Sequence, residues 1–534
     1  MEYKLCFRNA IIWFRSFLRR MGYLDACFLL LAAALRLWAL DMKPPHFDEG
    51  INGWFADQVR ELGYYRYDPT NYHGPLYFYV LFIVQTLFGR NLWVLRMPAV
   101  IGSIMSVWLA LRFDRFFGKM AARLGALTLA VSPAAVFYGR YAIHESWVTA
   151  SLMVLMLGVF GLWSSGDRRS LFITILGVTL LLLLKETAVI HIGCLLLAIP
   201  CLIGFFLLSP TAAAVSFAPQ RWAWKDLFLT CSLSLGVLFL FYSGMLLNLK
   251  GFFNLFQTLP AWIHTGVEAG GHVKSEYQIG PLNYYWLALM IRYEWPSFVG
   301  LLFTVRLLGK ASLMMRYLGI YAVGVLMAYS IVPYKTPWCI ISILWPFALL
   351  FGVAVQEGWV FKKWRSLIGV GACFLLAGSL VICVRLNFWH STDPEEPYVY
   401  VQTFPEIKLL TEPLLEKAKK DPRAYHLQGQ ILLESYYPIP WMLGDFTDIG
   451  YYSKDNFPQK FSGDFIVIEA SKMELVEKKL QEPYYRQYFK LRDAMGECVV
   501  YFKKAAFPDL QESRNDKIQK GVDRFFPELI VPQK

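Results

Sequence analysis

Long apolar runs almost free of charge recur from Ala26 to Leu386, and they constrain this 534-residue chain more than any other feature. About 20 such residues cross the hydrocarbon core of a bilayer as a helix. Inside that core the backbone must satisfy its own N–H and C=O groups, which restricts spanning segments to helices or closed barrels. Charged residues make up only 17% of the chain, against about 25% in soluble domains. A disordered, collagenous or ordinary cytosolic protein is excluded. The pattern predicts a polytopic α-helical membrane protein of about 11 transmembrane helices, at approximately 24–40, 92–111, 124–139, 146–163, 171–185, 189–208, 227–247, 285–305, 317–333, 337–356 and 367–386.

The net charge of +12 resembles a nucleic-acid signal until it is divided along the chain. Residues 389–534 carry 20 Lys+Arg and 23 Asp+Glu, whereas residues 1–388 carry 32 and 17. The basic excess belongs to the membrane part, where Lys and Arg retain loops on the cytoplasmic side. No nucleic-acid partner is expected. The nine cysteines show no metal-binding spacing, and Cys498 stands alone in its region, so that region has no internal disulfide.

Pro75–Phe88 is apolar but short, which suits an interfacial or re-entrant helix. If it does not cross, Arg112, Arg115, Lys119, Arg123, Arg168, Arg169, Arg221, Lys225, Arg306, Lys310, Arg316, Lys362, Lys363 and Arg365 all share the side of the basic N-terminus. The positive-inside rule selects that arrangement. It predicts a multi-pass plasma (inner) membrane protein with a cytoplasmic N-terminus. Residues 1–388 form the membrane domain, with large external loops 41–91 and 248–284. Residues 389–534 form an extracytoplasmic α/β domain, with strand-like runs at Phe465–Glu469 and Cys498–Phe502 and helical patterns at Glu406–Lys420 and Lys472–Leu480. The polar stretch Gln511–Lys534 is expected to be loosely held.

This topology gathers His46, Asp48, Glu49, His73, Arg140, His144, Glu145, Lys185, Glu186 and Lys335 at the outer ends of the helices. Ionisable groups are costly there unless paired or functional. Each also has an ordinary explanation. Asp48–Glu49 suits a helix cap, Arg140 and His144–Glu145 a loop salt bridge, and Lys185 and Lys335 snorkelling ends. Coincidence on one face is what marks a site. No HExxH spacing supports histidine-bound zinc. A carboxylate-bound Mg²⁺ or Mn²⁺ touching a phosphate is the easier metal to defend, with Asp48 and Glu145 as its candidate ligands. No organic cofactor is expected.

The stretch HFDEGINGWFADQVRELGYYRYDPTNYHGPLYFY (46–79) carries a first-loop Asp-Glu pair, tyrosines and a Gly-Pro helix start. In this it resembles the GT-C membrane glycosyltransferases, which include protein O-mannosyltransferases, oligosaccharyltransferases and the lipid A aminoarabinose transferase. Together with GRYAIHE, LLKET, PYKTPWC and YVYVQTFPEI, it is most similar to the flippase-activity-associated family named from archaeal N-glycosylation. The resemblance runs over nearly the whole chain. It implies a polyprenyl-phosphate sugar donor entering from membrane lipid, and an extracytoplasmic protein, lipid or glycan acceptor. Asp48 matches the catalytic carboxylate of the superfamily, with Glu49 beside it. Glu145 falls near its second acidic motif, here His-Glu rather than Asp-centred. His73, Arg140, His144, Lys185, Glu186 and Lys335 become candidate substrate-binding groups, and inverting displacement becomes the expected reaction. Two other readings stay open: a lipid-linked sugar flippase or transporter, and a non-catalytic scaffold of a cell-envelope glycosylation machine.

Overall fold

The computed structural model describes residues 22–534 except 72, 209–217, 269–277, 280–281, 310, 334, 454–455, 494, 511–527 and 531–534. The basic N-terminal stretch and most of Gln511–Lys534 therefore lie outside the described residues. The chain divides into two compact units. One comprises Met1–Leu40 and Leu62–Ser391, and the other Asp41–Glu61 and Thr392–Lys534. The first external loop is thus shared between the units, and its Asp-Glu helix groups with the C-terminal region.

The first unit is helical. In chain order its helices include α1 (Tyr23–Leu37), α3 (Leu76–Phe88), α4 (Leu92–Leu111), α5 (Lys119–Val131), α6 (Pro133–Gly139), α7 (Glu145–Ser165), α8 (Arg168–Leu184), α9 (Ala188–Leu208), α10 (Trp224–Tyr242), α11 (Leu249–Glu268), α12 (Tyr285–Tyr293), α13 (Trp295–Phe303), α14 (Leu313–Ile331), α15 (Ile340–Trp359) and α16 (Arg365–Val384). Side-chain caps mark several starts: Asn91 accepts from Val94 N–H, Asp167 from Ser170 N–H and Ser312 from Met315 N–H. Phe228, Leu229, Leu233 and Leu235 on α10 are exposed, as the lipid-facing side of a membrane helix requires.

All eleven expected spans fall on helices, but eleven is not the number that length and apolarity support. Among the described residues seven helices are long and apolar enough to cross a membrane, or eight if the bent pair α5–α6 is one span. Helices α1 and α8, with 15 and 17 residues, fall short of that length, and two other expected spans are broken by local causes. Pro133 has no N–H to continue the ladder, Ser132 is extended, and the chain turns by 57°. The Glu294 carboxylate accepts from Ser132 Oγ at 2.7 Å and from Ala134 N–H at 2.8 Å, which caps the new start. Glu294 itself separates α12 from α13, splitting the segment read as 285–305. Helix α3, with 13 residues, is among the shorter apolar helices, as its length in the sequence implied.

The second unit holds α2 (Phe47–Leu62, all but its last residue), α17 (Lys408–Lys420) and a six-stranded mixed sheet. Its strands are β1 (Gly429–Leu432), β2 (Ile449–Tyr451), β3 (Phe465–Glu469), β4 (Tyr484–Lys490), β5 (Glu497–Lys503) and β6 (Glu528–Ile530), in the order β2-β1-β3-β5-β4-β6. β1 runs parallel to β2 and β3, and the remaining pairs are antiparallel. Alternation divides β3 between two cores. Phe465 and Val467 pack with Leu410 and Leu414 of α17, while Ile466 and Ile468 pack with Val476 and Leu480. Burial on both faces explains why Phe-Ile-Val-Ile reads as a continuous apolar run. The sheet and its flanking helices give the α/β architecture expected of this region.

Candidate functional site

In the first unit the ionisable groups collect where helices start and stop. Helix α8 ends at Leu184, and the extended backbone of Lys185 leads into the short break before α9. His144 occupies the N-cap position of α7, and Glu145 is its first residue, where the helix dipole favours a carboxylate. The Lys185 ammonium donates to Glu145 Oε1, and both side chains are buried. His73 Nδ1 lies 3.0 Å from Glu186 Oε2. The His144 ring packs 4.8 Å from that of His73 and 4.6 Å from that of Tyr77, and its buried Nε2 has no hydrogen-bond partner among the described residues.

Gly74 sets this register. Its N–H donates to Leu184 O at 3.1 Å, and a Cβ there would sit 2.2 Å from Leu183 O. Only glycine lets the two backbones approach so closely, and the approach places His73 beside Glu186. The structure therefore brings His73, His144, Glu145, Lys185 and Glu186 into one buried cluster.

Lys335 is a different kind of cation. Its ammonium donates to the carbonyls of Tyr329 at 2.8 Å, Ser330 at 3.3 Å and Val332, at the end of α14. These acceptors are neutral, and no carboxylate pairs with it among the described residues. Burial draws the ammonium down to about 8. In the same connection Cys339 Sγ lies 3.2 Å from Thr336 Oγ1. His191 is bracketed by two tyrosine hydroxyls, Tyr321 at 3.1 Å from Nδ1 and Tyr329 at 3.3 Å from Nε2. The tyrosines escaped sequence reasoning. Their spacing of eight residues, which puts both on one side of α14, was the available signal.

Arg140 does not join the cluster. Its Nη1 donates to the carbonyls of Leu35, Arg36 and Trp38, its Nη2 to Ala39, and the guanidinium lies 4.8 Å from the Phe388 ring centroid. These contacts cap the C-terminal end of α1, where the helix dipole favours a cation. Arg36 does similar work at the end of α5, reaching the carbonyls of Leu129 and Ala130.

Asp48 and Glu49 belong to the second unit, in the first turn of α2. Glu49 is buried, and its Oε2 accepts the His46 N–H at 2.8 Å. That is the third-residue arm of a capping box. Asp48 is freer. Its side chain is 31% exposed and approaches His46 Nδ1 at 3.5 Å.

The expected metal ligands, Asp48 and Glu145, belong to different units. Glu145 commits its carboxylate to Lys185, and no group of three or more His, Cys, Asp or Glu able to hold an ion occurs among the described residues.

A family model described as dolichyl-phosphate-mannose-protein mannosyltransferase matches residues 72–239. No curated protein matches in sequence. Among solved structures, ArnT from Cupriavidus metallidurans bound to undecaprenyl phosphate aligns with a TM-score of 0.58 and 14% identity, covering 89% of this chain and 97% of that one. Its apo form gives 0.54 with the same identity and coverage. The Archaeoglobus fulgidus oligosaccharyltransferase in complex with zinc and sulfate gives 0.50 and 11%, covering 88% of this chain and 73% of that one. At these identities the likeness concerns architecture. Helical membrane unit, sheet unit and family match agree, and the chain has the fold of the GT-C membrane glycosyltransferases.

Proposed function

We propose that this protein transfers a sugar from a polyprenyl phosphate to an extracytoplasmic acceptor. The observation that carries the reading is Lys335, a buried ammonium that meets only neutral carbonyls among the described residues. Burying an ion without a counter-charge is expensive, and a phosphate supplies that charge. The undecaprenyl phosphate of the Cupriavidus metallidurans ArnT structure supports a lipid-borne phosphate as the ligand class. The basic loops support a plasma-membrane orientation with the N-terminus cytoplasmic and the C-terminal domain outside.

In this reading Asp48 takes the proton of the acceptor nucleophile, which attacks the anomeric carbon as the bond from that carbon to the phosphate oxygen breaks. The configuration inverts. The polyprenyl phosphate leaves with the bonding electron pair, and Lys335, with the cluster around Lys185, stabilises its charge. No step is assigned to a metal.

The transporter reading draws on the broken span at Ser132–Pro133, since broken helices mark many transport sites. Here the polar groups around the break meet protein partners, Glu294 on one side and Arg36 on the other. A substrate path is not needed to explain it.

The test uses full-length protein solubilised in detergent and envelopes of a deletion strain, which retain the unused donor and the unmodified acceptor. Detergent removes any need for transport across a bilayer. Transfer to the acceptor, followed by mass spectrometry, is the expected result. Restoration only in intact cells would favour the transporter.

A further inference from the structure

The start of α2 is tied to the rest of its own unit by contacts that helix formation does not require. His46 is the hub. Its Nδ1 accepts the backbone N–H of Asp48 at 3.0 Å, and its Nε2 meets the carbonyl of Tyr400. A backbone N–H can only donate, so Nδ1 carries no proton, and the ring's hydrogen sits on Nε2, donated to Tyr400. Both ring nitrogens are thereby assigned, and the imidazole is neutral. Asp48 has a neighbour that orients it without neutralising it.

The surrounding contacts are close. A Cβ on Gly50 would lie 2.4 Å from Pro438 Cα, and one on Gly53 would lie 2.4 Å from the Trp441 ring. Gln402 Nε2 donates to Pro44 O at 3.1 Å. The Arg492 guanidinium sits 4.6 Å from the Phe47 ring centroid while donating to the carbonyls of Ser435 and Tyr437. The segment around Tyr400 and Gln402 therefore has a job that α17 and the sheet do not explain.

We propose that His46 is a positioning residue, the strut through which the Tyr400 carbonyl of the C-terminal region fixes the backbone at Asp48 and keeps its carboxylate unpaired. This rests on the reading of Asp48 as the base. It gives the C-terminal region a part in the chemical step.

The transfer assay in detergent tests it with full-length His46→Asn, His46→Phe and Asp48→Asn proteins at matched levels. Asn is among the best N-cap residues and returns an acceptor for the Asp48 N–H, but it does not reach Tyr400. Misplacing a reacting group by about 1 Å costs on the order of 100-fold in rate. His46→Asn should keep the wild-type unfolding temperature and donor KM, yet lose kcat by roughly that factor. His46→Phe should lose at least as much. If Asp48→Asn is inactive and His46→Asn turns over like wild type, His46 is only a helix cap and the proposal fails while the base survives. If Asp48→Asn keeps the wild-type rate, the base reading fails and the proposal falls with it.

Discussion

The two units treat charge in opposite ways. In the membrane unit Glu145 holds Lys185, Glu186 lies against His73, Glu294 caps α6, and Arg36 and Arg140 are spent on helix carbonyls. In the C-terminal unit pairs such as Glu474–Lys478 and Asp493–Lys490 lie at the surface, and Asp48 is partly open to water. Hydration is cheap in one place and absent in the other, so the same residue types carry different information. Within the apolar bundle a matched charge is explained by its match, and Lys335, which meets neutral carbonyls and no carboxylate among the described residues, is informative. In the watered unit exposure says little, and the constraint on the backbone at Asp48 is what stands out.

Breaking a buried match should have the largest effect on stability. Lys185→Met leaves the Glu145 carboxylate buried without its cation, a change that costs about 3–5 kcal/mol in comparable pairs. The unfolding midpoint in detergent should fall sharply, and Lys185→Met/Glu145→Leu should recover most of the loss. A single variant as stable as wild type would show that the pair is wetter than its burial implies.

Removing the unmatched cation should act on binding instead. Lys335→Met should weaken donor binding by about 10- to 100-fold, the range for a charge-assisted hydrogen bond. The sign with pH follows from an ammonium drawn down to about 8. Above that pH the cation is lost, so donor KM should rise between pH 7 and 9. Lys335→Arg stays charged throughout and should show no such rise. A pH-independent wild-type KM would separate Lys335 from the phosphate.

The smallest effect belongs to the surface of the other unit. Glu474→Ala removes an exposed helical ion pair, which commonly contributes nothing measurable. Neither stability nor transfer should change.

How much the sequence disclosed also differs between the units. Every expected span is helical because apolar length is written locally, whereas the breaks at Ser132–Pro133 and Glu294 depend on partners far along the chain. In the C-terminal unit β3 and β5 were legible as apolar runs. β1 and β2 are short, and β4, Tyr-Tyr-Arg-Gln-Tyr-Phe-Lys, alternates too many polar residues to announce itself. Among the site residues, Glu145 and Lys185 were found as ions in apolar surroundings. Their pairing was not visible, since 40 residues separate them. The four carbonyl acceptors of Arg140, about 100 residues upstream, were equally invisible.

The most direct test of the central claim is a deletion strain complemented with wild-type or Asp48→Asn protein at equal membrane levels, its envelope glycans and lipid-linked sugars compared by mass spectrometry. The account predicts that Asp48→Asn reproduces the deletion, with one glycan lost and one polyprenyl-phosphate sugar accumulated. Full restoration by Asp48→Asn would contradict it.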